Sequence, residues 1–60
     1  MINVGDLVLV DAGKFFDEKV KCKVIHIGED ETGKRWYECE PVDFTGIPRE
    51  FPIEKIEKCS

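Results

Sequence analysis

The stretch VKCKVIHIGEDETGKRWYECEP, Val20 to Pro41, decides the fold. Its first arm is rich in β-branched residues. Its second carries the aromatic pair Trp36–Tyr37 and alternating glutamates. The glycine-bounded acidic segment between them is a hairpin signal. With Gly28–Gly33 as the loop, Ile27 faces Lys34, Lys23 faces Glu38 and Lys21 faces Glu40. Each such opposite-charge pair stabilises by about 0.2–1 kcal/mol. The other face then matches Val24 with Tyr37, Cys22 with Cys39, and Val20 with Pro41. Slipping by one residue would lose that separation of faces. A bulge near Ile25–His26 is the expected point of departure from this register.

Working outward, Val4, Val8 and Val10 alternate on one face of a first strand, with Leu7 and Leu9 on the other. Gly5–Asp6 marks a turn or kink at its start. Ala12 to Lys19 reads as a loop whose Phe15 or Phe16 plugs the open end of a small core. After Pro41, a loop from Val42 to Pro48 offers Gly46 for a tight turn. Arg49–Glu50–Phe51 reads as a short strand, and Pro52 suits a strand end or edge. Ile53 and Ile56 are spaced for one helical turn, of 3-10 type, before a last short strand over Ile56–Cys59.

Sixty residues make one domain, residues 1–60. A composition of 42% hydrophobic and 37% charged residues is globular. The net charge of −4 argues against a dedicated nucleic-acid module, which draws affinity from a basic surplus. No signal peptide, membrane span or lipidation motif is visible, so a cytoplasmic location is expected. Cys22, Cys39 and Cys59 lack the spacing of a metal knuckle or redox motif and are expected as thiols. Cys22 and Cys39 should act as small core residues, with Cys59 loose near the terminus.

The opening Val4-Gly5-Asp6-x-Val8-x-Val10, the long hairpin and the closing Phe51-Pro52-Ile53-x-x-Ile56-Glu57 resemble an SH3-like small barrel. That group includes bacterial SH3-like, KOW-type and Tudor-type domains. The resemblance covers nearly the whole chain through short motifs. It implies an all-β fold, a five-stranded barrel with a 3-10 turn before the last strand, and no single function. The type II dihydrofolate reductase is similar in layout, with an echo in Tyr37-Glu38-Cys39-Glu40. Its Val-Gln-Ile-Tyr segment should align near Arg49-Glu50-Phe51 and is absent, so that activity is rejected.

Catalytic chemistry finds little footing. A cysteine or serine nucleophile needs a positioned base. His26 is the sole histidine. On an ideal strand it shares a face with Cys22 but stands two pleats away. Glu29–Asp30–Glu31 lacks the spaced ligands of a calcium loop. No enzyme activity, cofactor or metal is expected.

The expected function is a small binding module whose partner is a protein or peptide. A KOW-type nucleic-acid module and a self-associating structural protein are the alternatives. A Tudor-type aromatic cage would draw on Phe15, Phe16, Trp36 and Phe44, with Tyr37 and Phe51 in the core. The candidate surface is Trp36, Ile25 and Ile27, with Lys34 and Arg35 at its rim and Phe15, Phe16 and Phe44 as further candidates. An accessory role in a larger system, phage- or plasmid-borne included, suits a protein of this kind.

Overall fold

The structure is a computed structural model and describes residues 1–13 and 18–59. It is all-β. The strands are β1 (Leu7–Val10), β2 (Val20–Glu29), β3 (Arg35–Pro41), β4 (Arg49–Pro52) and β5 (Ile56–Lys58), with a 3-10 turn over Ile53–Lys55 directly before β5. All pairings are antiparallel. They build one five-stranded sheet in the order β4-β3-β2-β1-β5. The 3-10 turn links the two edge strands in sequence, but β4 and β5 do not pair with each other. Among the described residues, no helix is long and apolar enough to cross a membrane.

Period-two alternation organises the core. Val8, Val10, Cys22, Val24, Tyr37 and Cys39 point to one face and are buried, and Val20, Ile27, Phe51 and Ile56 pack against them. Ile2 joins this core, whereas Val4 is exposed. The expected Val4–Val8–Val10 stripe breaks because Gly5 adopts a left-handed φ of +96°. A tight turn forms there: the Asp6 N–H donates to the Asn3 carbonyl at 3.1 Å, and the Asn3 N–H donates to Asp6 Oδ2 at 2.9 Å.

The hairpin exists, but its register differs from the sequence expectation. Lys23 faces Glu40 rather than Glu38, Val24 faces Cys39 rather than Tyr37, and Cys22 faces Pro41 rather than Cys39. Cys22 and Cys39 still share the buried face, as diagonal neighbours. The cause is the turn. Strand β2 runs on to Glu29, and the reversal falls over Asp30–Lys34, with Gly33 at φ +85°. Asp30 opens this turn with an Asx-type bond, its Oδ1 accepting the Thr32 N–H at 2.9 Å and the Lys34 N–H at 3.0 Å.

The bulge falls between Val24 and His26, at the expected place. It has a chemical consequence. Ile25 is the extra residue, so His26 turns outward opposite Glu38 and Ile27 turns inward opposite Tyr37. His26 is therefore exposed while Cys22 is buried, and the two do not share a face. Ile27, expected on the outer surface, packs against the core.

Cys22, Cys39 and Cys59 are free thiols, the first two buried and the third half-buried. Burial raises the Cys22 pKa and pushes that of Cys39 up to about 11, with Cys22 and Glu38 adding to the latter shift. Both thiols stay protonated at neutral pH, which suits core residues and not nucleophiles.

Candidate binding groove

Among the described residues, an apolar groove of about 240 Å³ lies over one end of the sheet. Its floor is the buried face itself: Val10 from β1, Cys22 from β2, Cys39 from β3 and Phe51 from β4. Val20 and Pro41 extend the walls. Ala12 and the loop of residues 42–48, through Phe44, Gly46 and Ile47, also line it.

Local sequence explains that loop. A Cβ on Gly46 would stand 3.1 Å from Pro41 Cγ and 3.4 Å from Phe44 Cε2. Glycine thus lets the Phe44 ring and the proline close around the backbone. The Val42 N–H donates to the Lys21 carbonyl at 3.2 Å and ties the start of the loop to β2. The apolar side chains here are nonetheless open to solvent. Ile47 is 85% exposed, Phe44 48% and Val42 42%. Exposed apolar side chains beside a concave apolar lining are a pattern of interaction sites.

One charged residue breaks the apolar lining. Arg49 pairs with Cys39 across β3 and β4, so it lies on the core-facing side of its strand, where it remains exposed. Its guanidinium carbon stands 5.9 Å from the centre of the Phe51 ring.

The second concavity is the Trp36 face. Trp36 lies on the outer side of β3, half-buried, opposite Gly28 on β2 and Pro52 on β4. Its indole Nε1 donates to Asp30 Oδ2 at 3.2 Å, and Lys34 Nζ stands 5.1 Å from the ring centroid. Lys34 also pairs with Glu54 at 3.4 Å. Glu29, Asp30 and Glu50 line the cleft with it. This aromatic is held by its own chain on both its edge and its face. The structure keeps Trp36 and Arg35 at this end of the hairpin but sends Ile27 to the core and places Ile25 in the bulge, so the four do not form one surface. Phe15 and Phe16 lie outside the described residues, and Phe44 belongs to the groove.

Ile47 and Arg49 were missed by sequence reasoning. Ile47 is a lone apolar residue between Gly46 and Pro48, a weak signal. The place of Arg49 follows only from the β3–β4 register, which a seven-residue irregular loop leaves open.

Among the described residues, no group of three or more His, Cys, Asp and Glu side chains could hold a metal ion. Family models, curated proteins and solved structures all give no match to this chain, so the functional reading rests on its own geometry.

The Asp30 turn makes a testable pH prediction. The Thr32 hydroxyl, donating at 2.6 Å, then the Trp36 indole and the Lys34 and Thr32 N–H groups hold the Asp30 carboxyl down at about 2. A carboxylate whose folded pKa lies below its unfolded value stabilises the fold above that unfolded value. The contribution is lost as pH falls from about 4 towards about 2. In Asp30→Asn the melting temperature should therefore depend less on pH in this window than in the wild type, and Trp36 emission should shift. Identical acid profiles for the two proteins would show that Asp30 does not fasten the turn.

Proposed function

We propose that this domain is a non-enzymatic, protein-binding module whose groove accepts one bulky apolar side chain from a partner. The observation that carries the reading is the apolar groove rimmed by the bare side chain of Ile47. Its size supports a single side chain: a cavity of about 150 Å³ already admits benzene. Drug-sized ligands occupy about 300 Å³ or more. The net charge of −4 favours a protein over a nucleic-acid partner. The strand order, with a helical turn before β5, supports the further proposal of an SH3-like small barrel. The two buried free thiols are compatible with a reducing, cytoplasmic setting.

The test is a titration with N-acetyl-phenylalaninamide, followed by amide and methyl NMR. Shifts should centre on Val10, Val20 and Ile47. Ile47→Glu should weaken binding severalfold and leave the melting temperature nearly unchanged, since the side chain is 85% exposed. Shifts centred on the Trp36 indole, or concentration-dependent self-association at the groove without ligand binding, would replace this reading. Steeply salt-dependent binding to DNA or RNA would favour the nucleic-acid alternative.

A further inference from the structure

We infer that Arg49 reads the α-carboxylate of a partner's C-terminal residue, whose apolar side chain fills the groove. This inference rests on the groove reading above and adds the chemical class of the occupant.

Alternation along β4 carries the first step. Tyr37 pairs with Phe51 and Cys39 with Arg49, so Phe51 and Arg49 both lie on the core-facing side of the edge strand. Phe51 fills its position as expected and packs against the core. Arg49, two residues earlier, stands where the pattern calls for another apolar residue. It lines the mouth of an otherwise apolar groove.

The second step is its lack of a counter-ion. The ion pairs among the described residues engage Lys19, Lys34 and Lys58, and no described carboxylate pairs with Arg49. Its guanidinium instead lies over the Phe51 ring. That contact places the planar fork against the groove wall, with its N–H groups free to receive an anion.

The third step concerns reach. A groove of about 240 Å³ takes one side chain, and Arg49 is one of its lining residues, its guanidinium 5.9 Å from the ring centre of Phe51, which also lines it. The anion must then lie within a few bonds of the apolar group. A C-terminal residue meets this condition, because its carboxylate and its side chain leave the same Cα. Capture of a terminal carboxylate is an established mode of peptide recognition, and a guanidinium binds it in bidentate fashion.

Edge-strand protection is the competing account of Arg49, since inward charges discourage edge pairing. The experiment separates the two. Acetyl-Gly-Ser-Phe with a free C-terminus, the same peptide ending in an amide, and acetyl-Gly-Phe-Asp-amide are titrated by NMR into the wild type and Arg49→Gln. In the wild type the free acid should bind roughly twofold to fivefold more tightly than its amide, the range expected for one exposed charge-assisted pair. The advantage should shrink with added salt. It should vanish in Arg49→Gln, where the acid and the amide should bind alike. The aspartate peptide should bind no better than the amide.

Equal binding of acid and amide in the groove overturns the carboxylate inference and leaves the groove reading standing. Tighter binding of the aspartate peptide overturns the choice of a C-terminus. A preference that survives in Arg49→Gln removes Arg49 from the role, and self-association of that variant with unchanged selectivity assigns it to edge protection. Failure of all three peptides to perturb the groove overturns both proposals.

Discussion

Tyr37→Ala is expected to leave the chain unfolded at room temperature. Tyr37 is 6% exposed and sits centrally in the sheet, between Ile27 on β2 and Phe51 on β4. Truncating a large buried aromatic costs roughly 3–5 kcal/mol. A single core of this size supplies no more than about 3–5 kcal/mol of net stability. The loss therefore matches the whole margin. Trp36→Ala, one residue away on the outer face, should stay folded, because that ring is tied to Asp30 and Lys34 of the turn rather than to the core. Circular dichroism and amide-proton dispersion report both outcomes. A folded Tyr37→Ala with a cooperative melt would mean that the core does not depend on this strand.

The second large effect contrasts Val24→Asp with Lys23→Asp. Val24 is fully buried, faces Cys39, and exchanges backbone bonds with the opening turn: its N–H donates to the Asp6 carbonyl at 3.0 Å, and its carbonyl accepts the Gly5 N–H at 2.7 Å. An aspartate there has no cation to meet. A buried unpaired carboxylate costs several kcal/mol even after it takes up a proton, so the fold should be lost. Lys23 is exposed and faces Glu40. Aspartate at that position puts like charges across the pair and costs about 0.2–1 kcal/mol, which the fold survives. Urea titration should show a shifted but intact transition for Lys23→Asp and no folded baseline for Val24→Asp. Comparable losses at the two positions would contradict the alternation.

The same two positions show what the sequence could and could not reveal. The inward set Cys22, Val24, Tyr37 and Cys39 was legible because burial follows the period-two pattern, which does not depend on which partner each residue meets. The pairing itself was not. It depends on the turn, and Asp30 and Gly33 together place the reversal nearer to β3 than the Gly28–Gly33 loop suggested. The bulge was legible as a location but not as a consequence. Which of Ile25, His26 and Ile27 turns inward is decided by the β3 residues they meet, and Tyr37 takes Ile27.

The site was less legible than the fold. A large aromatic drew the sequence reading to Trp36, yet its polar edge and its face are met by Asp30 and Lys34 of the same turn. The groove is assembled from four strands and a loop, so no contiguous motif announces it. Phe44 alone among its rim residues stood out from sequence. Arg49 reads as an ordinary surface cation until its pairing with Cys39 places it, still exposed, on the core-facing side of β4.

Intermolecular NOEs from the ring protons of N-acetyl-phenylalaninamide are the most direct test of the groove. The account predicts contacts to the methyl groups of Val10, Val20 and Ile47 and none to the Trp36 indole. Contacts to the indole without any to those methyls would contradict it.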